Sequence, residues 1–121
     1  MKVLMIEPNR APRPCTIDDT LEAMQKIVGG PIQAVYPFEE PVALFCNEEA
    51  KIDCLPPNRA LRENDGNMYD IICGTFFLCA APPESENFES LTEEQFDRYN
   101  QLFRHQEVFL RVHGQIVVVP V

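Results

Sequence analysis

A chain of 121 residues is the length of a single domain, and at that size roughly two-thirds of the unfolded surface is buried on folding, so one core can form without disulfides or a metal. The formal charge of −9 repels nucleic-acid phosphates and anionic membranes at long range, which sets aside direct nucleic-acid binding and membrane attachment and leaves a protein or a small ligand as the expected partner. The five cysteines, Cys15, Cys46, Cys54, Cys73 and Cys79, are odd in number and contain no C-x-x-C pair, so neither a disulfide framework nor a zinc site is expected, and no cofactor is implied.

Residues 2–7 read as a strand that is apolar on both faces, as in a central strand. That run is too short for a signal peptide, being closed by Glu7 and Pro8. No stretch approaches the ~18 apolar residues of a membrane span, so the cytoplasm is the expected compartment. Residues 8–14 form a loop carrying Arg10 and Arg13, and residues 15–17 pair briefly with the first strand. A helix is expected from Asp19 to Val28. Asp19 and Glu22 have capping-box spacing, Leu21, Met24, Ile27 and Val28 form the buried stripe, and Gly29-Gly30-Pro31 end it. Residues 32–38 and 42–46 read as strands, and a turn over residues 47–50 leads into a further strand at 52–55. Pro56-Pro57 break the chain before a short helical turn at 58–61, and Asn64-Asp65-Gly66 mark a tight turn. Residues 69–81 are one strand kinked at Gly74 or two short strands divided there. Cys46, Cys73 and Cys79 then serve as small core hydrophobes within strands.

A polar loop over residues 82–89 leads to the second helix, residues 92–104. Thr92 with Gln95 makes a capping box, Leu91 with Phe96 a hydrophobic staple, and Phe96, Tyr99, Leu102 and Phe103 the buried stripe. Residues 107–112 and 115–121 form a terminal hairpin about His113-Gly114. Strands arranged as hairpins with helices inserted between them predict an α+β fold: a mainly antiparallel, hairpin-rich sheet with two helices packed on one face, all in one domain over residues 1–121.

Several motifs occur together in order. They are Asp19-Thr20-Leu21-Glu22-Ala23-Met24-Gln25 with Ile27-Val28-Gly29-Gly30, then Ile32-Gln33-Ala34-Val35-Tyr36-Pro37-Phe38. After these come Val42-Ala43-Leu44 with Cys46-Asn47-Glu48-Glu49, Pro57-Asn58-Arg59-Ala60-Leu61-Arg62, and Tyr69-Asp70-Ile71-Ile72 with Gly74-Thr75-Phe76-Phe77. Over residues 1–104 this resembles domain-of-unknown-function family 3846, which occurs on phages, conjugative elements and their Firmicute and other gut bacterial hosts. The resemblance implies a mobile-element or host setting and no activity. The hairpin at 107–121 lies beyond the family-like region.

Two clusters are candidates for function. Asn58, Arg59 and Arg62, with Tyr69 and Thr75 following, can hold a carboxylate or phosphate, because paired guanidinium groups bind such anions bidentately. Structurally, the same residues can cap a turn and pair with nearby carboxylates. Glu84, Glu86, Glu89, Glu93, Glu94 and Asp97 form an acidic run suited to a helix N-terminus, or to a surface that imitates nucleic-acid phosphates or binds a basic partner. Mimicry of that kind belongs to antirestriction proteins of mobile elements, so the resemblance adds an inhibitor of host defence as the alternative to a non-enzymatic accessory binding protein. An enzyme ranks third: His113 falls in the hairpin turn, His105 at the end of the second helix, and no P-loop, Rossmann, zincin or nucleophile-elbow motif occurs. The Val-rich last strand, as an exposed edge, is a homodimer candidate by strand addition.

Overall fold

The computed structural model describes residues 1–121. In chain order its elements are β1 (Lys2–Ile6), β2 (Arg13–Thr16), α1 (Leu21–Val28), β3 (Ile32–Val35), β4 (Val42–Asn47), β5 (Pro57–Arg62), β6 (Met68–Cys73), β7 (Phe76–Ala80), α2 (Glu93–Phe103), β8 (Glu107–Val112) and β9 (Gln115–Pro120). The fold is α+β. Five antiparallel strands lie in the order β2-β1-β7-β4-β3, and β5-β6 and β8-β9 are separate two-stranded ladders. No helix is long and apolar enough to cross a membrane.

Side-chain alternation along the central strands divides the core in two, because successive residues of a strand point to opposite faces. Leu4 and Ile6 of β1, Val42 and Leu44 of β4, and Phe76 and Leu78 of β7 pack with Tyr99 and Phe103 of α2 and with Leu61 and Ile72 of the β5-β6 ladder. Val3, Ala43, Phe45, Phe77 and Cys79 point the other way, onto Met24 and Val28 of α1. The helices therefore cover opposite faces of the sheet, not one. Each needs its own apolar face to cover, and strands buried on both sides supply two.

Both helices begin as local chemistry dictates, with one shift. The α1 cap is Thr20 rather than Asp19: its hydroxyl accepts from the Ala23 N–H at 3.2 Å, and Glu22 sits in the first turn. Leu21, expected in the buried stripe, is the first helical residue and is exposed, while Gly29 closes the helix at φ 80°. At α2 the reciprocal capping box of Thr92 and Gln95 is present. Leu102, expected in the stripe, is 60% exposed.

Three further expectations are corrected. Residues 52–54 lie in turns and Leu55 in no regular element, with Ile52 81% exposed and Cys54 at φ 57°, because no strand lies beside them to pair with. Residues 58–61 belong to strand β5 and are not a helical turn; Pro57, at the first strand position, needs no N–H there. Residues 32–38 form a strand only as far as Val35, and Ala34 and Tyr36 are exposed. Gly74 does divide residues 69–81 into two strands. It lies at φ 76°, and a Cβ there would stand 2.9 Å from Leu55 Cδ1. Cys46 and Cys79 are buried within strands and Cys73 is half-buried; burial pushes all three thiols up, Cys79 to about 12.

Candidate functional site

The predicted arginine pair is split by the pleat of β5. Arg59 points inward and is 1% exposed. Its Nε donates to the Phe103 carbonyl at 3.1 Å, Nη1 to Asn58 Oδ1 at 2.7 Å and the Asn58 carbonyl at 3.2 Å, and Nη2 to the Arg10 carbonyl at 2.7 Å. Asn58 is equally buried, its amide donating to the Ile6 carbonyl at 2.9 Å and the Gly74 carbonyl at 2.8 Å. These bonds tie β5 to the end of β1, to the 8–12 loop, to the β6–β7 kink and to the last residue of α2. Burial lowers the Arg59 pKa and the nearby Glu107 charge opposes that; an arginine stays charged regardless. All three of its nitrogens donate to main-chain carbonyls or to the Asn58 amide oxygen, so Asn58 and Arg59 form a structural joint.

Arg62 faces out. Its Nη2 donates to Glu107 Oε2 at 2.7 Å, while Glu107 Oε1 accepts from the Ala60 N–H at 2.9 Å. The Glu107 side chain is only 7% exposed, so the bridge fastens the start of β8 to β5. Arg62 and Tyr69 line a cleft of about 850 Å³ between residues 37–40, the β5-β6 ladder and the second half of α2. Thr75 lies outside it, in the bend between β6 and β7.

The far wall of this cleft was not anticipated from sequence. Glu40 accepts hydrogen bonds from the Tyr99 hydroxyl at 2.6 Å, from Gln95 Nε2 at 3.3 Å and from Arg98 Nη1. Partial burial works to raise the Glu40 pKa, but the bonds from Tyr99, Arg98 and Gln95 outweigh it and hold the carboxyl below its usual value. Burial, then the bond to Glu40, pushes the Tyr99 phenol up. Phe38 packs against Tyr99 and Phe103 at centroid distances of 4.6 and 6.2 Å and fixes this wall. Tyr69, 51% exposed, and Leu102 stand open on the cleft, and Tyr36 is exposed in an adjoining depression that shares Arg62 and Tyr69. Glu39, Glu40, Glu63 and Glu107 outnumber Arg62 and Arg98, and both arginines are already in ion pairs. The surface left for an occupant is aromatic and aliphatic, with an acidic surplus.

The acidic run is arranged differently. Glu84, Glu86, Glu89, Glu93, Glu94 and Asp97 are all exposed, and none takes part in the ion pairs of the structure. The apolar residues that interrupt them in sequence turn inward: Leu91 is in the core, Phe96 packs against it, and Phe88 meets Phe45 edge-on at 4.8 Å. His105 accepts from Arg104 Nε at 3.3 Å beyond the end of α2, and His113 sits in the exposed β8–β9 turn at φ 51°.

Fold and site together define an antiparallel α+β domain with an open, amphiphilic cleft. The chain belongs to the family described as Domain of unknown function (DUF3846), whose model matches residues 1–104. No curated protein and no solved structure matches the chain. The family match ends one residue past α2, so β8 and β9 lie outside it.

Proposed function

We propose that this protein is a non-enzymatic accessory binding protein, and that the cleft between residues 37–40, β5-β6 and α2 takes an extended segment of a partner protein bearing apolar and basic side chains. One observation carries this reading. The cleft presents Tyr69 and Leu102 to solvent while its arginines are neutralised by Glu107 and Glu40. Exposed aromatic and aliphatic residues in a concave site recognise apolar groups, and the surplus carboxylates favour a cation over an anion. A small anionic ligand would meet arginines whose charge is already offset by Glu107 and Glu40, within a surplus of carboxylates.

A second reading rests on the six unpaired carboxylates of residues 84–97, a surface able to bind a basic partner or to occupy the nucleic-acid site of a defence protein. One experiment separates the two. A short peptide alternating arginine and leucine, and separately inorganic phosphate, are titrated into isotope-labelled protein while amide shifts are followed by NMR. The peptide is expected to shift resonances of Arg62, Tyr69 and Leu102, and Tyr69→Ala to weaken it by about tenfold. Peptide shifts confined to residues 84–97 would move the site to the acidic surface. Phosphate shifts centred on Arg62 and Arg98 would restore the anion site and overturn the cleft proposal.

A further inference from the structure

The β8-β9 hairpin has two unlike faces. The Val121 N–H donates to the Gln106 carbonyl at 2.7 Å, which makes 106/121 a hydrogen-bonded pair. With Glu107 opposite Pro120, Val108/Val119, Leu110/Val117 and Val112/Gln115 are then hydrogen-bonded pairs too. Directly opposed residues share a face, and alternate pairs point to opposite faces. One face therefore carries Glu107, Phe109, Arg111, Ile116, Val118 and Pro120, of which Glu107, Phe109 and Val118 are half-buried or bonded to β5 and Arg111, Ile116 and Pro120 are exposed. The other carries Val108, Leu110, Val112, Val117, Val119 and Val121, each between 41% and 69% exposed. No Asp, Glu, Lys or Arg occurs from Val112 to Val121. The β9 edge thus lacks the charges that usually guard such strands, and an isolated two-stranded ladder is at best marginal in water.

We propose that this aliphatic face is a two-fold interface at which the hairpins of two copies of the chain pack face to face. Three observations favour a second copy over a foreign partner. A face uncharged throughout and aliphatic between Gln115 at one end and Gln106 at the other is complementary to itself under a two-fold, the commonest symmetry of soluble oligomers. A chain of charge −9 selects foreign partners by charge, and this face offers none. The six side chains expose about 450 Å² per copy. A pair would bury about 900 Å² before Gln115 and the turn are counted, close to the ~1,000 Å² of a small stable interface. Packed sheets about 10 Å apart bury this face completely, whereas pairing β9 edge to edge would leave it in water and double its extent.

Sedimentation equilibrium on the full chain across the micromolar range provides the test. The wild type is expected to dimerise, and more strongly as salt screens the repulsion between two chains of charge −9. Leu110→Glu and Leu110→Lys, at the centre of the face, are each expected to be monomeric, and an equimolar mixture to recover a dimer. Recovery shows that both variants are folded. The register also aims the Ile116 and Val118 N–H groups away from β8, so their hydrogen exchange should stay fast in the dimer. A wild type monomeric throughout, variants that dimerise unchanged, a mixture that stays monomeric, or Ile116 and Val118 amides protected on dimerisation would each overturn the face-to-face proposal.

Discussion

Strands β4 and β9 are both six residues long and largely apolar, yet every residue of β4 is buried and all but Val118 of β9 are exposed. The difference is what lies on either side. Leu44 of β4 meets α2 and the β5-β6 ladder, Phe45 meets the α1 side, and β3 and β7 pair with both edges. The β9 strand has one neighbour, β8, and one face turned toward the body. Apolar composition makes a strand, whereas burial depends on layers that come from elsewhere in the chain.

Substitutions can break or sharpen this contrast. The largest effect is expected in the sheet. Phe77, fully buried and stacked on Phe45 at 5.2 Å, should cost about 3–5 kcal/mol on replacement by Ala, against less than about 0.5 kcal/mol for Val119→Ala, both read by urea unfolding in dilute solution. Comparable losses would mean that the hairpin is packed as tightly as the body. Next come the two polar joints of β5. Arg59→Lys cannot reproduce the fork that holds the Phe103, Asn58 and Arg10 carbonyls and should cost about 2–3 kcal/mol. Arg62→Lys keeps a charged donor for Glu107 at the solvent-facing end of their pair and should cost under about 0.5 kcal/mol in the same assay. Equal costs would show that the inward and outward sides of β5 are not energetically distinct.

The smallest effect is pH-dependent and lies at the cleft wall. Because the folded-state pKa of Glu40 is depressed, its contribution is fully present above the unfolded carboxylate value and is lost as pH falls through the folded one. Tyr99→Phe removes one of the depressing bonds and should reduce that acid-side loss by about a few tenths of a kcal/mol, since the Arg98 side of the site is open to solvent. An unchanged acid limb in urea titrations from neutral to low pH would count against the Tyr99–Glu40 bond as its source.

What could be read from the sequence was what neighbouring residues decide among themselves. The Thr92–Gln95 box, the Gly29 terminus, the Gly74 division and the His113-Gly114 turn each depend on a few adjacent residues, and each is present. The Thr20 cap was missed by one position because Asp19 has equally good capping chemistry. Long-range decisions were not legible. Residues 52–55 have strand composition and no partner, while 58–61 follow a proline pair and still find β6. Arg59 and Arg62 look alike in sequence; the pleat of β5, set by its register with β6, sends one into the core and the other to the cleft. Glu40 and Arg98 are 58 positions apart, and no local pattern joins them. Leu102 follows the helical stripe but overhangs a cleft rather than a strand.

The placement of the tyrosines gives the molecule an optical property. There is no tryptophan, and all three tyrosines stand at one place: Tyr69 and Tyr99 line the cleft, and Tyr36 borders the adjoining depression. Tyr99, hydrogen-bonded to a carboxylate, is positioned to be quenched, while Tyr36 and Tyr69 emit from solvent. The near-ultraviolet emission of the unlabelled protein therefore originates from Tyr69 in the cleft and Tyr36 in the depression beside it, so the protein carries its own fluorophore for occupancy there.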